Sequence, residues 1–80
     1  MTLREFLPLD DDAFRELFRR SPVKRTGRER FLRNVCVALG NAGDESDLPA
    51  LERAAEEEGE LVSEHARWAI ERIRSRSRTP

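Results

Sequence analysis

Two arginines and two asparagines are set into one apolar run of the chain, RFLRNVCVALGN, at positions 30, 33, 34 and 41. On a wheel of 100° per residue centred on Val35, the residues Phe31, Leu32, Ala38 and Leu39 face a core. Arg30, Arg33, Val37 and Asn41 then lie on the opposite side, with Asn34 at its flank. Lys24 and Arg25 stand in the segment leading into the run. Guanidiniums supply planar, multidentate donors suited to phosphate, and asparagine amides bond bases, sugars or backbone. Such a set suits a nucleic acid. It also has a purely structural reading, in which Arg33 pairs with Glu64 and the asparagines satisfy backbone groups near helix ends.

Other chemistry is poorly provided for. One cysteine, Cys36, sits inside the apolar run, which rules out a disulfide framework and argues against a cysteine-ligated metal centre. Gly-rich phosphate loops, paired catalytic carboxylates and His-rich ligand spacings are missing from the sequence. Cys36 reads as a packed thiol rather than a reactive one. His65 reads as a structural histidine beside a helical core, the alternative being a titrating or RNA-touching group. Trp68 has two readings: packing against a neighbouring unit, or stacking on an unpaired base.

The elements that must position these groups are helical. Asp10 or Asp11 can cap a first helix to about Arg19, with Phe14, Leu17 and Phe18 on one face, ended by Ser21-Pro22. Thr26 and Glu29 have capping-box spacing, which predicts a second helix from about Gly27 to Leu39, with glycines 40 and 43 suited to its end. A third helix starts around Ser46 or Asp47 with Pro49 in its first turn and stops at Gly59. The fourth, from about Glu60 to Arg74, repeats apolar residues at i, i+3 and i+4. The final SRSRTP reads as a frayed basic end.

Displacing the sequence by 31 positions puts Phe31 on Val62, Val35 on Ala66, Ala38 on Ala69 and Leu39 on Ile70. The same offset puts Glu64, His65, Trp68 and Arg72 where helix two carries its polar side. A helix pair repeated at about thirty residues is the mark of a stacked helical solenoid, whose equivalent faces line one continuous surface. The expected fold is therefore all-α, a short helical-repeat solenoid of about four helices in one domain. Residues 1–9 are its lead-in, 10–41 and 46–74 its two helix pairs, and 75–80 its tail. The expected core is Phe31, Val35, Leu39, Leu51, Ala66 and Ile70. About three such repeats are usually needed for independent stability, so either the first helix caps the stack or the chain packs on something larger.

Charge is segregated. From Arg15 to Arg33 there are eight basic residues against two acidic, and from Asp44 to Glu64 nine acidic against one basic, so a net charge of −1 hides opposite blocks. The blocks either meet a polyanionic partner or face each other. The longest uncharged stretch, Asn34 to Gly43, is far too short to span a bilayer, and the N-terminus lacks the pattern of an export signal. A monomer in the reducing cytoplasm is the expectation.

The stretch SPVKRTGRERFLRNVCVALGNAGDESDLPALERA, followed by LVSEHARWAI, resembles the C-terminal HEAT-like region of epoxyqueuosine reductase. That enzyme completes queuosine in the anticodon loop of certain tRNAs. The resemblance runs from about Leu7 to Ile73, and the joined run of SPVKR, LRN and ALGN carries it. It implies that the solenoid is HEAT-like, a non-catalytic module that grips tRNA through Lys24, Arg25, Arg30, Arg33, Asn34 and Asn41. It also implies that the cobalamin and iron–sulfur cofactors of the family belong to other domains, since one cysteine cannot hold a cluster needing about four thiolates. Weak tRNA binding by the isolated chain is the first expectation. A protein–protein adaptor, or a docking module for a separate catalytic reductase domain, is the alternative; there the acidic block and Trp68 would dominate affinity.

Overall fold

A computed structural model of the chain describes residues 2–21 and 27–78, with the side chain of Arg78 excepted. Among the described residues there are four α-helices and no strands: α1 Asp11–Phe18, α2 Arg28–Ala42, α3 Leu48–Glu57 and α4 Glu60–Arg78. Single 3-10 turns at Leu3–Phe6 and Glu45–Asp47 precede α1 and α3. None of these helices is long and apolar enough to cross a membrane.

Local chemistry explains most boundaries. Asp10 caps α1 by accepting from the Ala13 N–H at 2.8 Å, with Asp11 and Asp12 in the first turn where the helix dipole favours acids. Pro sits in the first turn of α3, where no N–H is missed. α2 starts next to Gly27, as its spacing predicts. Its N-cap is Gly27 at φ +88°, with no side-chain cap, and Thr26 of the expected capping box lies outside the described residues. The helix also runs three residues past Leu39, through Gly40 to Ala42, because the Gly43 N–H closes it on the Leu39 carbonyl at 2.7 Å.

α3 and α4 form an antiparallel hairpin: the Ser63 hydroxyl donates to the Ala55 carbonyl at 2.6 Å near one end, and Arg74 reaches Glu52 at 3.2 Å near the other. α4 and α2 instead run parallel and side by side. Trp68 and Ala69 meet Gly40, Arg72 meets Asn41, and Arg76 meets the α2 terminus, so partners advance together along both helices. Their shared core consists of Leu32, Val35, Cys36 and Leu39 from α2, Leu51 and Ala54 from α3, and Val62, Ala66, Ala69, Ile70 and Ile73 from α4.

The wheel of α2 is turned from the expected phase. Leu32 and Cys36 are fully buried, while Phe31 and Ala38 are only partly so. Phe31 packs against the edge of this core and also reaches α1, joining Phe6, Phe14 and Phe18 at centroid distances of 5.3, 5.6 and 5.0 Å. Each such aromatic pair adds about 0.5–1.5 kcal/mol beyond its buried area. Leu17, expected beside Phe14 and Phe18, stays 47% exposed. The lead-in is more than a lead-in, since Leu7 is wholly buried in the core.

Two arginines tie the segments together. Arg28 donates from Nε to the Leu9 carbonyl at 2.5 Å and from Nη2 to Glu58 at 2.7 Å, joining lead-in, α2 and the end of α3. Arg76, in what reads from sequence as a frayed end, donates to the carbonyls of Gly40 at 2.6 Å and Gly43 at 2.9 Å. A helix C-terminus leaves carbonyls unpaired, and a guanidinium there satisfies them with favourable charge. α4 accordingly continues four residues past Arg74.

Leu39 remains at the centre of the packing, 4% exposed. Leu39→Ala is expected to cost about 2–5 kcal/mol, a large share of the stability of so small a domain. A thermal melt of the variant that overlays the parent chain would place Leu39 outside the core.

Candidate nucleic-acid interface

Positions 30, 33, 34, 37 and 41 fall within about 100° of one another on α2. Arg30, Asn34 and Asn41 are exposed, and Arg33 and Val37 are half-buried. Four of the six expected contact residues are thus brought onto a single stripe. Lys24 and Arg25 lie outside the described residues.

The stripe has internal order. Arg33 donates from Nε and Nη2 to Asn34 Oδ1 at 3.3 and 3.1 Å, which occupies the amide oxygen and leaves the NH2 of Asn34 outward. The Arg33–Glu64 pair of the purely structural reading does not form. Across the helix boundary the polar link is instead Arg72 to Asn41, a long contact at 3.5 Å. Because α2 and α4 are parallel and in phase, the polar side of α4 adjoins that of α2. Between them opens a groove of about 430 Å³, lined by Val37, Glu64, His65 and Trp68.

Trp68 is 41% exposed, yet its ring is held. A β-carbon on Gly40 would come within 2.4 Å of its Cζ3, so the indole rests directly on the α2 backbone. The Arg72 guanidinium lies over the ring, 5.4 Å from its centroid, a cation–π contact. Trp68 therefore packs against the neighbouring helix, and part of its ring stays exposed. His65 Nδ1 is 2.8 Å from the Leu61 carbonyl. A carbonyl only accepts, so Nδ1 carries the hydrogen and Nε2 is the acceptor of the neutral ring.

Charge pairing between the basic and acidic blocks is sparse. Among the described residues, Arg28–Glu58 is the only ion pair joining that block to the acidic one. Arg53–Glu57 lies within the acidic stretch, and Arg74–Glu52 joins that stretch to α4. Arg30 and Arg33 have no acidic partner among the described residues. Sequence reasoning missed Arg76, because it falls after the last clear apolar repeat; the only available signal was a basic residue in reach of a glycine-rich helix end.

The thiol of Cys36 is sealed in the core, and burial pushes its pKa up from 9.0 to about 12, with Glu58 adding to the rise. Among the described residues no group of His, Cys, Asp or Glu is placed to hold a metal ion. A cluster ligated by about four thiolates does not fit a chain whose one cysteine is buried and neutral.

Over 70 residues the chain is 43% identical to the epoxyqueuosine reductase of Xanthomonas campestris pv. campestris, covering 86% of the chain. It is homologous to part of epoxyqueuosine reductase. The Pseudomonas aeruginosa epoxyqueuosine reductase is 49% identical over 55 residues, 65% of the chain, and that of Escherichia coli K12 is 42% identical over 69 residues, 85% of the chain. The matched segments make up 20%, 15% and 18% of these three reductases, so the chain spans no more than about a fifth of their length. No protein-family model and no solved structure matches the chain.

The state of Cys36 is open to direct measurement. Raising a thiol from 9.0 to about 12 lowers its thiolate population at pH 8 about a thousandfold, and only the thiolate alkylates. Iodoacetamide at pH 8 is expected to leave the folded chain unmodified for hours and to label it promptly in denaturant. Equal rates in the two conditions would show an accessible thiolate.

Proposed function

We propose that this chain is a non-catalytic, HEAT-like module that grips tRNA, the counterpart of a tRNA-holding part of epoxyqueuosine reductase. The observation that carries the reading is the stripe of Arg30, Arg33, Asn34 and Asn41 on α2, continued by Arg72 and Arg76 of α4. Solenoid architecture is supported by the parallel, in-phase packing of α2 and α4 and by the antiparallel pairing of α4 with α3, the helix that connects them. In stacked helical repeats the second helices of successive units line one surface in this way. The module is a single monomeric domain of the cytoplasm, and the reductive step, with its cobalamin and iron–sulfur chemistry, belongs to a separate catalytic domain with which it works.

Its own residues bind and orient. Guanidiniums along the stripe follow the phosphate backbone, and the Asn34 and Asn41 amides reach sugars or base edges. A docking module for the catalytic domain is the competing reading, favoured by the exposed Trp68 and by the acidic residues of α3.

Three or four phosphate contacts to a single strand imply that log affinity falls with log salt at a slope of roughly −2 to −3. Filter binding of tRNA across a salt series is expected to show weak binding with that slope. Arg33→Ala should flatten it by about 0.7 and weaken all RNAs alike, while leaving the melting temperature nearly unchanged, since Arg33 bonds only its neighbour Asn34. Substituting Asn34 or Asn41 should change preference among loop sequences more than the slope. A tRNA titration that Arg33→Ala leaves unaltered would sink the proposal and leave the docking module as the better account.

A further inference from the structure

We propose that the groove between α2 and α4 is a base site, taking one unpaired nucleobase with an amino group on its pairing edge, guanine foremost. The inference rests on the RNA-gripping role and adds to it what the phosphate stripe lacks, a means of reading sequence.

An aromatic wall is already in place. The Cζ3–Cε3 edge of Trp68 rests on the Gly40 backbone, and Arg72, one turn further along α4, lies over one face of the ring and does not line the groove. The groove opens toward Glu64 and His65, one turn earlier, with Val37 as its apolar side. An indole fixed in advance loses little freedom when a ring stacks on it, and unpaired RNA bases are commonly held on such surfaces. The groove's volume of about 430 Å³ is ample for one base and is open at the side, as a base still attached to its strand requires.

The polar groups select the occupant. Glu64 is exposed and has no hydrogen-bond or ionic partner among the described residues. A carboxylate repels phosphate, so its place beside a cationic stripe makes sense toward a donor edge rather than toward the backbone. It accepts only, and so does His65 Nε2 in the neutral ring whose Nδ1 is committed to Leu61. Guanine offers N1–H and an adjacent amino group to the two oxygens of one carboxylate. Adenine and cytosine offer an amino group alone, and uracil a single ring N–H. An aliphatic side chain from a protein would fill the groove and leave both acceptors unpaired, which disfavours that occupant.

The chain has one tryptophan, so its emission reports on this groove alone. The probe is a ten-residue oligouridylate with one central guanosine, compared with the same strand carrying uridine, inosine or an abasic residue there. Guanosine is expected to quench Trp68 and bind about tenfold more tightly than the abasic strand, since stacking on an aromatic contributes about 1–3 kcal/mol per base. Inosine, which lacks the amino group, should fall between. Glu64→Gln, on an exposed site that folding does not require, should reduce the guanosine-to-uridine ratio about fivefold at an unchanged sign of the salt slope. RNA that binds with the expected salt slope but neither quenches Trp68 nor distinguishes the abasic strand overturns the base site alone, keeps the phosphate stripe and leaves the groove to a protein partner. Failure of every RNA to bind overturns both readings.

Discussion

The missing side chain at position 40 sets the distance between the two parallel helices. A β-carbon there would lie 3.1 Å from the Ala69 α-carbon and closer still to the Trp68 ring, so the observed approach of α2 to α4 requires glycine. Much else follows from that distance. It lets Arg72 reach Asn41 and cover Trp68, brings the Gly40 carbonyl within range of Arg76, and closes the polar sides of two helices into one face. Glycine in a helix interior costs about 1 kcal/mol relative to alanine, and here the gain is close packing.

Around this pair the remaining segments are held by different means. α1 is attached mainly through rings, with Phe18 and Phe31 each touching the other three phenylalanines. The lead-in is attached through the buried Leu7 and through two arginines, Arg28 on the Leu9 carbonyl and Arg4 on Ser46 at 2.7 Å. Ser46 in turn bonds Asp44, whose carboxyl is held below its usual range chiefly by that hydroxyl. These are links between distant parts of the sequence. They make one small body from pieces that individually have too little apolar surface to fold.

Much of the fold could be read from the residues, and the failures have physical causes. Helix number and most starts were legible because Asp10, Pro49 and Gly59 act locally, through capping and backbone restriction. The phase of α2 was not, because a wheel centred on Val35 assumes one buried face, whereas Phe31 is drawn toward α1 and Cys36 toward α4. Leu7 and Leu17 show the same limit: an isolated leucine carries no periodicity, and its burial is decided by what lies opposite. For the candidate site, the stripe on α2 was legible since it needs only the helical period. Its continuation onto α4 was visible in the offset of 31 residues, but the held indole was not, because that depends on a glycine contacting a ring across two helices.

Arg76 bears on the direction of the field along that face. A helix carries about half a positive charge at its N-terminus and half a negative charge at its C-terminus, so a strand of phosphates laid along α2 would be attracted at one end and repelled at the other. With the guanidinium seated on the Gly40 and Gly43 carbonyls, the negative pole is covered. The dipole at that end of α2 then no longer opposes an anion laid along the helix.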